Sequence, residues 1–421
     1  MLISRMNKIN WGIIICLIFL SNCINKSREA PKDILAQESE KSNTSFALNQ
    51  AYVILVSIDG FRHDYIKKYN AKNLQTIKVE GASTTKMFPA YPSKTFPNHY
   101  SIVTGMLPAN HGLVSNAFYS KSKGRKYAIR NKKEVQDSSW YGGVPLWSLA
   151  ERQGMLSASY FWVGSEANIL GAQPTYYKVY DGAVSNADRV KGVLSWLDLP
   201  QEKRPHFITI YFSIVDDYGH RYGPESDKMF EAVGQIDSLI GVLRKGIAET
   251  KLPVFLAVTS DHGMSEISRG VILSELVDLR NNEVYYSTPT MIYTKSKEET
   301  QRIFEVLDTV SLFKTYKREG LPAHWKYDNS DRVGDLLIVN KAPLVILDKP
   351  SKVSGGTHGF DPFTNDEMST IFLIEGPSIK KGFEVEPFQN IHIYPLLASI
   401  LGLEYNHQID GKRNVLKPII K

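Results

Sequence analysis

Three stretches of the chain are almost entirely apolar and rich in β-branched residues. They cover residues 52–58, 206–215 and 254–260, and each is followed at once by an aspartate, at Asp59, Asp216 and Asp261. Runs of this length are typical of strands that are buried on both faces of a parallel sheet. We therefore expect three central strands whose carboxyl ends meet at one edge of a sheet, where ligand sites of α/β folds gather.

Segments with the apolar spacing of amphipathic helices separate these runs. The predicted helices are residues 64–81, 145–154, 186–199 and 229–248, the last with Phe230, Val233, Ile236, Ile240 and Leu243 on its buried face. Further strands are predicted at 156–163 and 367–375. This alternation predicts an α/β fold with a mainly parallel central sheet and helices on both faces.

A change of pattern after about residue 280 indicates a small α+β insertion within the main domain, at about 285–350. Its predicted elements are strands at 285–293 and 336–347, with a helix at 297–310 between them. The main sheet is expected to resume with the strand at 367–375.

The composition excludes some kinds of binding site but says little about the fold. Of the 421 residues, 43% are apolar and 22% charged, and the net charge of +6 is spread among acidic residues. These values are ordinary for a soluble globular protein, and they give no basic footprint for nucleic acid. Both cysteines, Cys16 and Cys23, lie near the amino terminus, which excludes a disulfide framework or a CxxC zinc site in the main domain.

The first 23 residues have the pattern of a secretory signal: a basic start, then an apolar run at 11–20. The residues Leu20-Ser-Asn-Cys23 resemble a bacterial lipobox, so Cys23 is the candidate lipidation site, with a plain cleaved signal or an uncleaved anchor as alternatives. We expect export across an inner membrane to the periplasm or to a lipid anchor. Residues 24–50 are expected to be a flexible tether, and residues 51–421 the folded domain.

Thr95 lies where a proline-rich segment gives way to a predicted helix beginning near Pro97. At a helix start, a threonine most often caps the free backbone N–H groups. A threonine there can also serve as a nucleophile, because the positive end of the helix and a nearby cation both favour an alkoxide. The second interpretation requires a metal site beside Thr95.

Residues able to bind metal recur next to the predicted strand ends. Asp216 and His220 are separated by a gap that contains Gly219, which predicts a strand-end loop or short turn, and His358 lies in a glycine-rich loop. The full candidate set is Asp59, Thr95, Asp216, His220, Asp261, His262 and His358. A single zinc ion needs about three protein ligands. Seven candidates suit two ions about 4 Å apart, the arrangement used for in-line phosphoryl displacement.

Four motifs, in order along the chain, carry a family resemblance. They are Ser57-Ile-Asp-Gly-Phe-Arg62, Pro92-Ser-Lys-Thr-Phe-Pro-Asn-His-Tyr100, Thr104-Gly-Met-Leu-Pro-Ala-Asn-His-Gly112 and Thr259-Ser-Asp-His-Gly-Met264. Together they resemble the nucleotide pyrophosphatase/phosphodiesterase family of the alkaline phosphatase superfamily, from about residue 51 to the carboxyl terminus. The chain looks like the compact bacterial form of that family.

The resemblance implies two zinc ions and a threonine nucleophile, Thr95. One zinc would be held by Asp216, His220 and His358, and the other by Asp59, Thr95, Asp261 and His262. Asn116 would donate a hydrogen bond to a phosphate oxygen. The implied reaction hydrolyses nucleotide phosphodiester or pyrophosphate bonds through a phospho-threonine ester and releases nucleoside 5′-monophosphates.

The resemblance also implies two aromatic walls for the base of a nucleotide substrate. Phe96 would form one wall and Tyr177 the other, with Tyr176 as the near alternative. The family's Trp-Pro-Gly is replaced here by Trp162-Val-Gly. No sequence-specific nucleic-acid binding is expected.

Two other functions fit the same residues. A choline-phosphodiester or lysophospholipid phosphodiesterase would keep every metal ligand and add an anionic, aromatic cage for a quaternary amine. A non-catalytic nucleotide-binding lipoprotein is the second, and the complete ligand set argues against it. A phosphate monoesterase is disfavoured because no added arginine clamp is evident.

Overall fold

An eight-stranded sheet forms the centre of the protein in the computed structural model, which describes residues 40–421. Its strands are β1 (Tyr52–Ile58), β2 (Ala82–Thr84), β3 (Ser157–Tyr160), β4 (Tyr176–Lys178), β5 (Phe207–Phe212), β6 (Val254–Thr259), β7 (Phe372–Glu375) and β8 (Phe383–Val385). Their order across the sheet is β8-β2-β7-β6-β1-β5-β3-β4. Only β7 is antiparallel to its neighbours, so the mainly parallel sheet expected from the sequence is confirmed.

The three strands predicted from the apolar runs lie side by side. β1 is paired in parallel with β5 on one side and β6 on the other, and every residue of β1 and β6 is buried. The polar residues that follow these strands therefore meet at one edge, as expected.

Helices cover both faces of this sheet. The α-helices of the described residues are Ser45–Leu48, Tyr65–Lys68, Lys72–Glu80, Thr95–Thr104, Pro108–His111, Lys132–Gln136, Leu146–Arg152, Asn186–Leu197, Ile214–Tyr222, Asp227–Thr250, Lys297–Leu307, Ile393–Ile400 and Arg413–Leu416. None of these helices is both long and apolar enough for a bilayer crossing.

The predicted α+β insertion is a four-stranded antiparallel sheet with one helix. Its strands lie in the order Glu283–Tyr285, Thr290–Tyr293, Leu336–Val339 and Lys314–Lys317, and the helix is Lys297–Leu307. Predicted strand 285–293 is in fact two strands joined by a turn at Thr288-Pro289. Predicted strand 336–347 also divides, because its second half, Leu344–Leu347, pairs with Arg269–Ile272 instead.

Four further two-stranded sheets complete the described strands. Met87–Phe88 pairs with Phe388–Gln389, Ala117–Ser120 with Arg125–Ala128, Ser265–Glu266 with Gly356–Thr357, and Arg269–Ile272 with Leu344–Leu347.

The folded body begins earlier than the sequence predicted. Asn43 donates hydrogen bonds to the carbonyl oxygens of Gln201 (3.0 Å) and Arg204 (2.7 Å), and Thr44 caps the helix Ser45–Leu48. The predicted tether therefore ends before residue 43, because these polar residues have partners on the folded domain. The predicted signal peptide and Cys23 lie outside the described residues.

Two helix predictions were wrong in detail. The helix expected at 64–81 is interrupted at Asn70, whose φ of 52° is incompatible with a right-handed helix. Phe230, expected in the core, is 60% exposed, and Met229 is buried instead. The buried face of the helix Asp227–Thr250 thus differs slightly from the one that the apolar spacing suggested.

Candidate active site

Four of the seven candidate ligands follow the carboxyl ends of β1, β5 and β6, as the sequence predicted: Asp59, Asp216, Asp261 and His262. Asp59 comes directly after β1, and its backbone N–H extends the ladder to Phe212 of β5 (2.9 Å). Gly60 has a φ of +70°, and a Cβ there would lie 2.9 Å from the Cα of Asp216. The glycine therefore lets the loop after β1 approach the segment after β5 closely.

Asp216 and His220 lie on a helix, and the predicted turn is wrong. The helix Ile214–Tyr222 begins just after β5, which places the two residues one helical turn apart on the same face. The Asp216 Oδ2 and His220 Nε2 atoms are 3.4 Å apart. Gly219 is accommodated inside this helix, and Gly223 ends it with a φ of +94°.

Three histidines are oriented in the same way by main-chain carbonyl groups. The Nδ1–H of His220 donates to Gly356 O (2.8 Å), that of His358 to Ser93 O (2.9 Å), and that of His262 to Gly263 O (2.9 Å). Each bond fixes the tautomer in which Nε2 carries a lone pair. Such Nδ1 bonds are the usual support of histidines that bind metal through Nε2.

The ligand atoms form two adjacent groups that share one aspartate. Atoms of Asp216, His220 and His358 all lie within 4.8 Å of one another, and so do atoms of Asp59, Asp216 and His262. Asp261 adjoins the second group, with its Oδ2 3.0 Å from His262 Nε2. The structure thus brings together every candidate ligand, and it places Asp216 between the two groups that the resemblance separates.

Three carboxylate oxygens in these groups lack hydrogen-bond partners, as expected for atoms that bind a cation. Asp59 Oδ1, Asp216 Oδ1 and Asp261 Oδ2 are buried and have no hydrogen-bond donor. A buried carboxylate oxygen without a partner is costly. Divalent cations between these oxygens and the imidazole Nε2 atoms would remove that cost, and this donor set of oxygen and imidazole nitrogen suits zinc.

The pKa shifts reflect the same crowding of charge. Burial, together with the negative charges of Asp261 and Asp216, raises the pKa of Asp59 well above its usual range. Burial opposes ionisation of Asp261, but the neighbouring His262 and His99 outweigh it and hold its pKa well below the usual range. Burial is also the main reason that the pKa of His358 is lowered. A neutral His358 is the form that binds metal.

Thr95 is the first residue of the helix Thr95–Thr104, and Lys94 occupies the capping position. The Thr95 hydroxyl lies 3.2 Å from His262 Nε2. It therefore faces the ligand groups, and the capping interpretation is wrong. The helix start still provides positive potential around the hydroxyl, which favours an alkoxide.

Asn116 supports the backbone next to Thr95 and lines the same cavity. Its Oδ1 accepts a hydrogen bond from the backbone N–H of Phe96 (2.9 Å). Because the oxygen is occupied in this way, the NH₂ group remains to donate to a phosphoryl oxygen. The resemblance implies such a donor role for Asn116, and that role stays a prediction.

A cavity of about 530 Å³ opens beside Thr95. Its aromatic lining is Phe96, Phe161, Trp162, Tyr180 and Tyr211, and its charged rim includes Arg130, Lys132 and Glu166. Among the described residues neither Arg130 nor Lys132 has an ion-pair partner. Val163, which stands where the family has proline in Trp-Pro-Gly, also lines this cavity.

The assignment of Tyr177 as the second aromatic wall is wrong, because Tyr180 lines the cavity and Tyr177 does not. Tyr177 is in the middle of β4, which ends at Lys178, whereas Tyr180 lies beyond the carboxyl end of that strand. Tyr176 is a core residue that stacks on Trp196 and donates to Lys203 O (2.9 Å). The signal that identifies Tyr180 is its place after the strand, at the edge where the site lies.

Sequence reasoning also missed His99 and Tyr211. The buried His99 Nδ1 lies 3.3 Å from Asp261 Oδ2 and 2.9 Å from Thr95 O. The Tyr211 hydroxyl donates to Asp59 Oδ2 (2.5 Å). His99 stands in the second motif, four residues after Thr95, and that helical spacing was the available clue. Tyr211 is inside an apolar strand and gave no signal.

Comparison with known proteins agrees with this geometry. The family model described as "Type I phosphodiesterase / nucleotide pyrophosphatase" matches residues 53–361. Human ectonucleotide pyrophosphatase/phosphodiesterase family member 1 is 35% identical over 83% of this chain and 40% of its own length. Venom phosphodiesterase 2 of Crotalus adamanteus is 34% identical over 84% of this chain and 46% of its own length.

Solved structures resemble the fold over nearly the whole described chain. Murine ectonucleotide pyrophosphatase/phosphodiesterase 5, as an inactive threonine-to-alanine variant in complex with AMP, gives a TM-score of 0.84 at 29% identity, covering 88% of this chain and 100% of that one. The human protein of the same name gives 0.83 at 28% identity, covering 88% and 99%. The alkaline phosphatase-like fold is thereby confirmed.

The chain spans less than half the length of the curated relatives that it matches. The shared part includes the four motifs and all seven candidate ligands, which lie between residues 57 and 358. The chain belongs to the Type I phosphodiesterase / nucleotide pyrophosphatase family.

Proposed function

We propose that the protein is a two-zinc phosphodiesterase that hydrolyses nucleotide phosphodiester or pyrophosphate bonds and releases nucleoside 5′-monophosphates. The observation that carries the proposal is the position of the Thr95 hydroxyl, at a helix start and 3.2 Å from His262 Nε2, beside two groups of metal-binding side chains. When bound, the zinc ions supply Lewis-acid stabilisation of the negative charge on the reacting oxygens.

In this proposal Thr95 attacks phosphorus, and the leaving alcohol or phosphate departs from the opposite side. The new bond joins Thr95 Oγ1 to phosphorus, and the bond between phosphorus and the leaving oxygen breaks. Asn116 donates to a non-bridging oxygen as charge develops there. Attack by water then breaks the phospho-threonine ester and returns the hydroxyl, so two inversions give net retention at phosphorus.

The residues that would hold zinc are those that the structure brings together. Asp216, His220 and His358 would form one set, and Asp59, Thr95, Asp261 and His262 the other. The similarity to the human and Crotalus adamanteus relatives supports the reaction class, because these proteins are named as phosphodiesterases and a pyrophosphatase. The AMP complex of the murine relative supports a nucleotide substrate, and the aromatic lining around Phe96 and Tyr180 offers stacking surfaces for a base.

The charges of the cavity favour a nucleotide over a choline phosphodiester. Arg130 and Lys132 lie on its rim without acidic partners among residues 40–421. A cationic choline head group would be repelled by them, whereas an anionic nucleotide would be attracted. Glu166, the acidic residue on the rim, already accepts hydrogen bonds from Tyr180 N (2.8 Å) and Gln136 Nε2 (3.2 Å).

The test compares Thr95→Ala with the parent protein in turnover and in zinc content. We expect turnover of a p-nitrophenyl nucleoside 5′-phosphate to disappear in Thr95→Ala while the zinc content stays near that of the parent. Thr95→Ser, which keeps a hydroxyl, should retain part of the activity. Undiminished turnover by Thr95→Ala would remove Thr95 from the reaction. Faster turnover of p-nitrophenyl phosphocholine than of the nucleotide ester would favour the choline alternative.

A further inference from the structure

Arg62 lies at the centre of a group of carboxylates just outside the candidate active site. Its side chain is only 6% exposed, and it donates to Asp64 through Nε (2.6 Å) and Nη2 (2.8 Å), to Glu225 through Nη2 (2.6 Å) and to Glu367 through Nη1 (3.4 Å). We call these four residues the Arg62 cluster. None of the reaction steps proposed above uses them.

Two carboxylates of the Arg62 cluster belong to segments that carry proposed zinc ligands, and the third belongs to a segment bonded to the loop that carries His262. Asp64 is in the loop that begins with Asp59. Glu225 follows the helix Ile214–Tyr222, which bears Asp216 and His220. Glu367 lies in the segment that receives hydrogen bonds from the residues just after His262.

The contact between the Glu367 segment and the loop after β6 is unusually close. Gly263 N–H donates to Met368 O (3.0 Å), and Met264 N–H donates to Glu367 O (3.1 Å). A Cβ on Gly263 would lie 1.9 Å from Glu367 O, so only glycine fits there. A displacement of Glu367 would therefore be transmitted to His262, whose own Nδ1 is bonded to Gly263 O (2.9 Å).

The backbone around Arg62 joins the same segments. His63 N–H donates to Ser369 O (3.0 Å), and the hydroxyl groups of Tyr65 and Tyr69 donate to Pro224 O (3.2 and 3.0 Å). Lys68 forms an ion pair with Glu225. Within residues 40–421, the guanidinium group of Arg62 is the group that bonds to all three carboxylates, and its planar geometry fixes their directions.

We propose that Arg62 is a positioning residue that holds two ligand-bearing segments, and the segment bonded to the His262 loop, in the geometry required for zinc binding. It acts through Asp64, Glu225 and Glu367 and does not touch substrate or metal. Groups that bond directly to metal ligands typically change metal affinity by about 10–100-fold when they are removed, and Arg62 acts one step further out. This inference rests on the proposed function, since it requires zinc at the candidate site.

The chain offers a matched control in Arg244. This side chain forms a bidentate ion pair with Glu375, with distances of 2.7 and 2.8 Å. Glu375 pairs with Leu256 in the sheet, near the amino end of β6 and away from the edge that carries the site. Loss of Arg244 therefore removes a similar ion pair without touching a ligand-bearing loop.

The experiment measures zinc affinity by competition with a chromophoric chelator, alongside thermal unfolding of the metal-free protein. We expect Arg62→Met to weaken zinc binding by several-fold, less than the about 10–100-fold that follows loss of a group bonded directly to a ligand. Arg62→Lys should weaken it less but measurably, because an ammonium group cannot form the bidentate bond. Arg244→Met should lower thermal stability and leave zinc affinity unchanged.

The visible spectrum of the cobalt-substituted protein is a second readout. Loosened ligand geometry should change the d–d bands of the Arg62 variants, and the Arg244→Met spectrum should match the parent. If Arg62→Met does not fold, Arg62→Lys decides. Unchanged zinc affinity and an unchanged cobalt spectrum in the Arg62 variants would overturn the inference. If the parent protein binds no zinc, both the proposed function and this inference are overturned.

Discussion

The two sets of proposed ligands differ most in their access to solvent. In the open group, defined as Asp216, His220 and His358, the side chain of His220 is 42% exposed. In the buried group, defined as Asp59, Asp261 and His262, the side chains of Asp261 and His262 are fully buried. In the proposed mechanism, this difference would let water and the leaving group exchange at the open group, while the buried group would hold Thr95.

The largest effect should follow the loss of a ligand from the buried group. We expect Asp261→Asn to lower kcat on the order of 10³–10⁴-fold, as removal of a member of an interdependent catalytic set does. Asp261 Oδ2 lies 3.0 Å from His262 Nε2 and has no hydrogen-bond donor, and an amide in its place would carry no charge to balance a bound cation. Steady-state kinetics on the nucleotide ester measures the effect.

Asp217→Asn is the control for this measurement. Asp217 adjoins Asp216 but bonds to Ser213 Oγ (2.9 Å) and is not part of either group. Its variant should keep near-parental activity. A smaller loss in Asp261→Asn than in His220→Ala would contradict the contrast between the two groups.

The two ligand groups should release zinc at different rates when a chelator is added. Because the open group is accessible to a chelator, we expect zinc release in two phases, with the faster phase from Asp216, His220 and His358. His220→Ala should abolish the fast phase and leave the slow one. Release can be followed with a zinc-sensitive dye, and a single phase in the parent protein would show that the two groups exchange alike.

The aromatic side chains that line the cavity should affect KM for the nucleotide more than kcat. Stacking on an aromatic side chain contributes about 1–3 kcal/mol per base, so Tyr180→Ala should raise KM for the nucleotide ester by roughly 10-fold with little change in kcat. Tyr177→Ala is the matched control and should behave like the parent, because Tyr177 does not line the cavity. The reverse pattern would restore the wall that the sequence suggested.

The smallest effect concerns the metal-free protein. Burial and the nearby charges of Asp261 and Asp216 raise the pKa of Asp59 above its ordinary value of 3.8. Above that pH the native state keeps a proton that the unfolded chain has lost. The free energy of unfolding therefore falls as the pH rises through the raised pKa. Asp59→Asn removes this penalty.

Near neutral pH we expect metal-free Asp59→Asn to unfold at a temperature roughly 1–3 °C higher than the metal-free parent. The difference should vanish at acidic pH, where Asp59 is protonated in both states. Thermal unfolding at two pH values tests this. A variant that unfolds earlier than the parent at neutral pH would contradict the stated cause.

The sequence predicted the sheet and most of the site because both are set by local patterns. The apolar runs before Asp59, Asp216 and Asp261 identify neighbouring parallel strands, and parallel strands bring their carboxyl ends together. The second and fourth motifs contain Thr95 and His262, whereas His220 and His358 were suggested by the spacing from Asp216 and by a glycine-rich loop. All seven candidate ligands lie at this edge of the sheet.

What the sequence could not predict depends on tertiary packing. The helix that carries Asp216 and His220 contains Gly219, which favoured a turn, and only its packing in the fold reveals the helical spacing. Tyr180 could not be separated from Tyr176 and Tyr177 without knowing where β4 ends. The Arg62 cluster joins residues up to 305 positions apart along the chain, which no local pattern indicates.

The most direct test of the two-metal site is anomalous diffraction at the zinc absorption edge from crystals of the zinc-loaded protein. We expect two peaks per chain. One should lie among Asp216, His220 and His358, and the other among Asp59, Asp261 and His262, next to the Thr95 hydroxyl. A single peak, or peaks away from these side chains, would contradict the account.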